Sequence, residues 1–329
     1  MRCTARTPGL TVTFDVPEGG SILDAALAAG WELPYSCRRG NCEGCRAHVI
    51  SGEVYPPPAA DGTALLCCAK ALSDVEIEPL RIEKRNSDEP ETVTGKLYRV
   101  RWPAEDVAIV DIRFPAGCRV KFEAGQYLSV VLEGHAPRSF SMANAPRSND
   151  GVQLHVRILP DALFGGLLRN SHLKPGDPIT VTLPFGDFRL REAAGRPVIL
   201  VAGGTGFAPM QSLLEDALGK YPDREFTLYW GARTQAGLYA LDQVARWQRR
   251  HKNFRFIGVI SDEPARGDWR SGLVHEAVCA DFPDLGDYDV YVCGSPGLVQ
   301  AARQAFGARG LPPDRFFSDS FATSSEAAV

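Results

Sequence analysis

Three cysteines in one short stretch constrain this chain more than any other feature. Four residues separate Cys37 from Cys42, two separate Cys42 from Cys45, and a further cysteine, Cys67, follows downstream. This is the plant-type spacing of [2Fe–2S] ligands. The loop must turn sharply to bring its thiolates together, and its two glycines supply the conformational freedom for that. We therefore predict a [2Fe–2S] cluster held by Cys37, Cys42, Cys45 and Cys67.

Bulk composition bounds the remaining possibilities. The 329 residues suffice for two or three domains, and 44% hydrophobic with 23% charged residues is typical of a soluble globular protein. A net charge of -4 gives no support to a nucleic-acid partner, and no apolar run reaches the roughly 20 residues of a membrane span. Nine cysteines, four of them at cluster spacing, favour metal binding in a reducing compartment over disulfides. We expect a cytoplasmic protein without a membrane partner.

Hydrophobic periodicity and the positions of Gly and Pro divide the chain into three domains. Residues 1–82 predict a small sheet with one helix and the cluster loop at its edge. Residues 83–92 are polar, charged and contain a proline, so we expect a flexible linker that lets the first domain shift. Residues 93–192 hold short strands separated by Gly and Pro, which predicts an antiparallel barrel. Residues 193–329 alternate apolar strands with helices, which predicts a parallel α/β domain.

Several elements are predicted individually. Ser21 with Asp24 three residues later predicts a capped helix start, and Gly30 predicts its end. The predicted strands of the barrel are Thr94–Arg101, Ala108–Phe114, Tyr127–Leu132, Ser139–Ala143, Gln153–Ile158 and Pro178–Leu183. The predicted strands and helices of the last domain are Val198–Ala202, Ala208–Leu218, Phe226–Trp230, Leu238–Arg249, Phe254–Ile260, Val290–Cys293 and Pro296–Ala308.

One barrel strand carries the tetrad Arg138-Ser139-Phe140-Ser141. A flavin needs a cation for its pyrophosphate, an aromatic wall for its ring and a hydroxyl near its redox edge, and this segment offers all three. The alternative is an edge strand with a solvated arginine.

Two strand ends in the last domain carry ligand-binding features. Gly203-Gly204-Thr205-Gly206 lies between a strand and a helix, where glycines let a pyrophosphate approach backbone N–H groups. The alternative is a tight turn without a ligand. Cys293 and Gly294 end another strand, at the edge where open α/β sheets bind ligands. The alternative for Cys293 is a small buried apolar residue.

Together these motifs resemble the ferredoxin–NAD(P) reductase superfamily. The domain order resembles the one-chain reductases of bacterial oxygenase systems, above all those of terephthalate-like aromatic-ring dioxygenases. The resemblance covers essentially the whole chain. It implies a β-grasp ferredoxin domain, an FAD-binding β-barrel and an NAD(P)-binding α/β domain. It also implies electron transfer from NADH through FAD and the cluster to a terminal Rieske-type oxygenase component.

The resemblance implies roles at matching positions. Cys67 is the fourth cluster ligand rather than Cys68, because it follows the paired leucines and precedes Asp74 by seven residues. Arg138 holds the FAD pyrophosphate, with Ser139 beside it, Phe140 packs on the flavin ring and Ser141 lies near N5. The other implied cofactor-binding residues, flavin first and nicotinamide second, are His155, Val156, Arg157 and Gly165, then Gly203, Gly204, Thr205, Gly206, Arg233, Cys293 and Gly294. The implied catalytic residues are Ser141, Cys293 near the nicotinamide C4, and Phe321, which shields the outer flavin face.

This sequence departs from the family pattern at three places. Phe140 replaces the usual Tyr, which removes one hydroxyl contact. The turn at 162–166 lacks the Ser of the usual Gly-x-x-Ser. Glu43 replaces a Gly, and a positive φ there would cost about 1 kcal/mol. Its carboxylate would also oppose the more negative reduced cluster.

The electron donor and the electron acceptor are both predicted from few residues. A 2′-phosphate would need several basic residues after the second strand of the last domain, and only Arg233 is present, so we expect NADH rather than NADPH. Arg38 and Arg39 flank the cluster and are either solvated or suited to an acidic partner surface. The alternatives to an oxygenase reductase are a reductase for a deoxysugar dehydrase, a reductase for a di-iron hydroxylase, and a cluster-based redox sensor.

Overall fold

The computed structural model describes residues 1–40, 42–85, 89–160, 162–191 and 195–321. The N-terminal part folds around one helix. In chain order its elements are β1 (Arg2–Thr7), β2 (Leu10–Asp15), α1 (Ile22–Ala28), β3 (Trp31–Glu32), β4 (Arg46–Ser51), β5 (Val54–Tyr55), β6 (Thr63–Leu65), β7 (Lys70–Ala71), β8 (Val75–Pro79) and β9 (Glu83–Lys84). Five strands form a mixed sheet in the order β2-β1-β8-β4-β6, in which β1 and β8 run parallel. Helix and sheet share one hydrophobic core, which confirms the predicted β-grasp domain.

The predicted ends of α1 are also confirmed. The backbone N–H of Asp24 donates to the hydroxyl of Ser21 over 3.1 Å, and this satisfies one of the free donors at the helix start. Gly30 follows the helix with φ of +81°, a conformation that costs glycine little. The cluster loop begins a few residues later, so α1 and β3 fix where that loop leaves the sheet.

The middle part is an antiparallel barrel. Its elements are β10 (Glu91–Ala104), β11 (Val107–Arg113), β12 (Tyr127–Leu132), β13 (His135–Ser141), β14 (Gly151–Arg157), α2 (Leu163–Arg169) and β15 (Pro178–Phe185). The strand order is β13-β12-β15-β10-β11-β14, and all six predicted strands are present. A bridge between Met142 and Leu154 links the two outer strands. Residues 162–166, expected as a turn, mostly belong to α2, because Phe164 and Leu168 bury one helical face in the barrel core.

The last part is a parallel sheet with helices. Its elements are β16 (Val198–Gly203), α3 (Phe207–Lys220), β17 (Phe226–Ala232), α4 (Leu241–Arg250), β18 (Phe254–Ile260), β19 (Arg270–Ser271), α5 (Val274–Asp281), β20 (Asp289–Gly294), α6 (Pro296–Gly307) and β21 (Phe316–Ser320), with short 3₁₀ turns at Gly204–Gly206, Gln235–Gly237 and Pro313–Arg315. The strand order is β19-β18-β17-β16-β20-β21. From β16 the strand order runs to one side through β17, β18 and β19, and to the other side through β20 and β21. The crevice between β16 and β20 is therefore the topological switch point, where open α/β sheets bind ligands. The predicted α/β class is confirmed, while β19, α5 and β21 were not predicted.

An ion-pair network ties the first domain to the junction of the other two. The guanidinium of Arg189 lies 2.9 Å from a Glu32 oxygen and 2.7 Å from a Glu83 oxygen. Arg191 pairs with the same Glu83 oxygen at 2.9 Å and with Asp187 at 2.6 Å. Burial raises the pKa of Glu32, although the two arginines oppose that rise. The network holds the cluster domain against the rest of the protein.

This network corrects part of the linker prediction. Glu83 and Lys84, expected in the flexible linker, form β9 and pair with Trp31 and Glu32. Glu91 and Thr92, at its other end, belong to the barrel strand β10 and pair with β15. Residues 86–88 lie outside the described part. Tethering by Arg189 and Arg191 explains why the near end of the linker is ordered. No helix among the described residues is long and apolar enough to cross a membrane.

Candidate functional site

The four predicted cluster ligands come together. The thiol of Cys42 hydrogen-bonds to that of Cys37, and the thiol of Cys67 to that of Cys45. These contacts, followed by burial, raise the pKa of both Cys42 and Cys67. Two pairs of neighbouring thiols suit two irons that each bind two thiolates. The raised pKa values keep the thiols protonated without metal, and metal binding displaces these protons. The donor set therefore fits a [2Fe–2S] cluster.

The backbone of the loop supports these sulfurs. The N–H groups of Cys37 and Gly44 point at the Cys42 sulfur, and that of Arg39 at the Cys37 sulfur, each over 3.4 Å. Such donors stabilise negative charge on a cluster and raise its reduction potential. Glu43 has φ of +56°, so the strain expected there is present. Its carboxylate pairs with Arg46 at 2.8 Å, which offsets part of its charge.

A fifth thiol lies beside the four. The sulfur of Cys68 is 3.6 Å from that of Cys67, and a side chain at Gly40 would meet it at 3.1 Å. Burial raises the pKa of Cys68 to about 11. Cys67, and not Cys68, is the thiol in contact with Cys45, which supports the predicted choice of ligand.

One cavity gathers most of the predicted flavin residues and extends to the cluster loop. From the prediction it is lined by Arg138, Ser139, Phe140, Ser141, His155, Val156, Arg157, Gly165, Thr205 and Phe321. The lining also includes Leu159, Ala162, Leu163 and Phe164, which belong to the predicted turn or lie just before it. Residues not assigned to the flavin from the sequence complete it: Ser36, Arg39, Tyr127, Ala208, Asp319 and Ser320. The predicted cluster ligand Cys37 also lines it. Residues from all three domains therefore share one cavity.

The cavity has features that fit a large aromatic and anionic ligand. The rings of Phe140 and Phe164 form one wall, with centroids 5.1 Å apart. Among the described residues, Arg138 donates only to carbonyls of its own strand β13, chiefly that of Ala136 at 2.9 Å, and can turn to a pyrophosphate. Arg157 pairs with Asp106 at 2.9 Å. These groups match the aromatic wall and the cation that FAD requires.

Two buried polar atoms of the lining have no partner in the described part of the chain. They are Nε2 of His155 and the hydroxyl oxygen of Ser320. Nδ1 of His155 lies 2.9 Å from the hydroxyl of Tyr239. If the Tyr239 hydroxyl donates, Nε2 carries the ring hydrogen. Since an unpaired buried polar group is costly, both orphan atoms fit a cavity that receives a polar ligand.

A buried carboxylate joins the domains at the floor of this cavity. Asp319, at the end of β21, accepts a hydrogen bond from the Ser141 hydroxyl over 3.2 Å and another from the Ser36 hydroxyl. Burial raises the pKa of Asp319, and the two hydroxyls oppose that rise. Ser36 precedes the ligand Cys37, so one side chain bridges the cluster loop and the flavin segment. Asp319 was missed because β21 is a short edge strand after Pro312 and Pro313.

The glycines after β16 have a structural reason that sequence reasoning did not give. A side chain on Gly206 would meet the carbonyl oxygen of Cys293 at 2.2 Å, and one on Gly203 would meet Leu298 at 2.7 Å. Gly294 is similarly close to Leu298, at 2.8 Å. Gly204 has open space and φ of +54°. The backbone contact with Cys293 therefore requires a glycine at 206, whether or not a ligand binds, whereas Gly203 and Gly294 are limited by the Leu298 side chain of α6.

Six of the predicted nicotinamide residues lie outside the cavity lining: Gly203, Gly204, Gly206, Arg233, Cys293 and Gly294. Cys293 is 0% exposed and belongs to the core behind Gly206, although its strand ends at the predicted edge of the sheet. Phe321 lines the cavity, and its N–H donates to the carbonyl of Gly294 over 2.9 Å. The side chain of Arg233 lies at the end of β17 and pairs with Asp262 at 2.6 Å.

Family comparisons agree with this architecture. Residues 6–72 match the model of the 2Fe-2S iron-sulfur cluster binding domain. Residues 96–190 match the oxidoreductase FAD-binding domain, and residues 200–304 match the oxidoreductase NAD-binding domain. The cofactor set predicted from the motifs, a [2Fe–2S] cluster, FAD and a nicotinamide dinucleotide, is confirmed.

Whole-chain relatives share the same domain order. The chain is 40% identical to reductase component 1 of the terephthalate 1,2-dioxygenase of Comamonas sp, over 95% of both chains. It is 36% identical to the CDP-6-deoxy-L-threo-D-glycero-4-hexulose-3-dehydrase reductase of Yersinia pseudotuberculosis, over 95% of this chain and 96% of that one. Its fold superposes with a TM-score of 0.78 on the crystal structure of an Amycolatopsis cytochrome P450 reductase, 33% identical, over 97% and 99% of the two chains.

These relatives cover all three domains and not one of them alone. Their identity to this chain, the three family models and the cavity between the domains support one conclusion. The chain is an NAD(P)H-dependent iron–sulfur flavoprotein oxidoreductase and belongs to the one-chain [2Fe–2S]/FAD reductases of the ferredoxin–NAD(P) reductase superfamily.

Proposed function

We propose that this chain is the reductase component of an oxygenase system, and that its partner is a terminal Rieske-type oxygenase acting on an aromatic acid. Electrons enter from NADH, pass to FAD and leave singly from the cluster. The observation that carries the proposal is the shared cavity, which Cys37 of the cluster loop, Ser141 of the barrel and Thr205 of the nicotinamide domain all line. Bound FAD supplies the chemistry that converts a two-electron hydride donor into one-electron transfers.

The barrel residues hold and orient the flavin in this proposal. Arg138 binds the pyrophosphate, and Ser139 and Val156 contribute backbone groups to the same wall. Phe140 packs against the ring, and Gly165 leaves room where α2 begins. Ser141 presents its hydroxyl to N5, while Asp319 holds that hydroxyl in place over 3.2 Å.

The nicotinamide domain positions the donor. Thr205 and the glycines around it take the dinucleotide at the carboxyl ends of β16 and β20. Phe321, which lines the cavity, would cover the outer face of a bound flavin and would have to move to admit the nicotinamide. Cys293 would then lie behind the nicotinamide. Since Cys293 is fully buried, its contribution depends on that movement of Phe321.

Two carboxylates favour NADH over NADPH in this proposal. Arg233, the one basic residue at the end of β17, is engaged by Asp262 at 2.6 Å. The N–H of Gln235, which could otherwise bind a phosphate, donates to Glu263 over 3.0 Å. A 2′-phosphate would have to displace both carboxylates. Steady-state cytochrome c reduction with each nucleotide tests this, and a KM for NADPH at or below that for NADH would contradict it.

The partner is proposed from relatives and from the cluster surface. Arg39 is exposed beside the cluster, whereas Arg38 pairs with Asp24, so Arg39 is the residue that remains to meet an acidic partner surface. The proposed partner can be tested by reconstitution with purified terephthalate 1,2-dioxygenase oxygenase component, NADH and oxygen. We expect cis-diol formation that depends on this chain. Cytochrome c turnover with NADH but no product would point to another acceptor.

A deoxysugar dehydrase is the second candidate partner, because a reductase of that kind is 36% identical to this chain. The same reconstitution with a purified CDP-linked dehydrase distinguishes the two. A redox sensor, by contrast, should show little turnover with cytochrome c or with either partner.

A further inference from the structure

Arg303, on α6 of the nicotinamide domain, faces the cluster loop of the first domain. It lines a cavity of about 30 Å³ together with Gly44 of that loop and with Phe316 and Ser318 of β21. The Gly44 N–H donates to the sulfur of Cys42 over 3.4 Å, so the far wall of this cavity is the ligand loop itself. Such a volume holds a water molecule, which can relay a hydrogen bond.

The position of Arg303 is held by contacts within its own domain. Its guanidinium stacks over the Phe316 ring at 4.4 Å, and one nitrogen donates to the Ser318 hydroxyl over 3.4 Å. No carboxylate lies within ion-pair distance of Arg303 in the described part of the chain. Burial lowers the pKa of Arg303, while the nearby Glu43 carboxylate and Cys42 sulfur oppose that change. The guanidinium is thus charged, half-buried and oriented without a partner of opposite sign.

The other charges around this cavity are already paired. Arg81 lies 2.8 Å from Asp187, and both line the cavity. Glu43 lies 2.8 Å from Arg46. Asp187 also pairs with Arg191 at 2.6 Å, and Arg46 also pairs with Asp61 at 3.3 Å. Among the nicotinamide-domain residues that line this cavity, the charged one is Arg303. Half-buried charges are screened less by salt than exposed ones.

We propose that Arg303 supplies a fixed positive charge that raises the reduction potential of the cluster while the domains are docked. This rests on the proposed electron-transfer function. The cluster gains one electron and one negative charge, no bond forms or breaks, and the donor is the flavin of the same chain. A fixed cation stabilises the more negative state, so it favours the step from flavin to cluster.

A consequence concerns docking. Docking and reduction of the cluster are thermodynamically linked. If docking raises the equilibrium constant for cluster reduction by some factor, reduction of the cluster raises the equilibrium constant for docking by the same factor. A movement that takes the cluster away from Arg303 then lowers its potential and makes it a stronger donor to a partner. Arg303 thereby favours electron uptake in the docked state and electron release outside it.

The test is an anaerobic redox titration of the holoprotein, with the reduced cluster followed by electron paramagnetic resonance and the flavin by absorbance. For R303Q we expect a roughly tenfold smaller equilibrium constant for cluster reduction, which is a midpoint about 59 mV lower for one electron. R303K keeps the charge and should restore most of that shift. R250Q removes an exposed arginine from α4 and should leave the cluster midpoint unchanged. The flavin midpoint should be the same in the wild type and in all three variants.

An R303Q midpoint equal to that of the wild type, or a shift matched by R250Q, would overturn the proposal. If R303Q alone does not retain its cluster, the same comparison is made between R303Q/E43Q and E43Q, where the Glu43 charge is absent. Equal midpoints for that pair would also overturn it. A wild-type protein without any reduced-cluster signal would instead refute the proposed function.

Discussion

The Ser141 hydroxyl donates to the Asp319 carboxylate over 3.2 Å, although the two residues are 178 positions apart in the chain. Ser141 belongs to the flavin segment of the barrel, and Asp319 lies on the last strand of the nicotinamide domain. Asp319 also accepts a hydrogen bond from the hydroxyl of Ser36, which directly precedes the cluster loop. One buried carboxylate of the nicotinamide domain therefore contacts both the flavin segment and the start of the cluster loop.

We predict that D319A lowers the rate of flavin reduction by NADH by roughly tenfold to a hundredfold, because Ser141 loses the acceptor that orients it. D319N keeps the size of the side chain and should lose less. The measurement is stopped-flow flavin bleaching at saturating NADH. D314A removes an exposed carboxylate just before β21, away from the cavity, and serves as a control. Rates in D319A equal to those of the wild type would remove Asp319 from the site.

The ion-pair network at Arg189 should control transfer from flavin to cluster. R189Q removes the positive charge that pairs with the carboxylates of Glu32 and Glu83. Each ~1.4 kcal/mol lost from the free energy of docking lowers the ratio of docked to undocked protein about tenfold. We expect slower cluster reduction after normal flavin reduction. The two phases are separated by stopped-flow absorbance.

R99Q provides the matched control for R189Q, since Arg99 forms an exposed ion pair with Asp111 on the barrel surface. Exposed pairs contribute about 0–1 kcal/mol, so R99Q should behave as wild type. If R189Q and R99Q reduce the cluster at the same rate, the network does not govern docking.

The ligand assignment predicts different results for neighbouring cysteines. C42A and C67A should each lose the cluster while they keep FAD, since a [2Fe–2S] cluster needs four thiolates. C68S should retain the cluster, because Cys67 and not Cys68 contacts Cys45. Iron and acid-labile sulfide analysis gives the cluster content. A C42A protein with its full cluster content would contradict the assignment.

His155 predicts a pH dependence of stability. Burial lowers the pKa of His155 to about 3. Below its ordinary pKa of about 6.5 the unfolded chain binds a proton that the folded protein does not, so stability falls as pH falls through that range. The slope is at most about 1.4 kcal/mol per pH unit. Urea unfolding of wild type and H155Q from about pH 7.5 to about pH 5 measures the difference.

H48Q is the control for this experiment, because His48 is an exposed histidine on β4 of the first domain. The difference in unfolding free energy between wild type and H155Q should change with pH, and that between wild type and H48Q should not. A wild-type and an H155Q curve that stay parallel over the whole range would show that His155 titrates normally.

Local chemistry explains which features were predictable from the sequence. The cysteine spacing, the Ser21 cap and the apolar strand Val198–Gly203 each depend on neighbours within a few residues. The tetrad at Arg138 was predictable because its four residues are adjacent in the chain. Residues 162–166 were expected as a turn because the family pattern has one there, and the apolar face that α2 buries did not enter that expectation.

Long-range contacts explain the rest. Asp319 acquires its position only when β21 pairs with β20, and no local pattern distinguishes it from other acidic residues. Ser36 and Arg303 likewise depend on how the first domain meets the third. Glu83 looked like part of a linker because its partners, Arg189 and Arg191, lie more than a hundred positions away.

Anaerobic addition of NADH to the purified protein tests the central claim most directly. The account predicts that flavin absorbance near 450 nm bleaches first and that the paramagnetic signal of a reduced [2Fe–2S] cluster follows in the same sample (the band position is that expected of flavoproteins). Bleaching of the flavin with a cluster that stays oxidised would contradict electron transfer through the shared cavity.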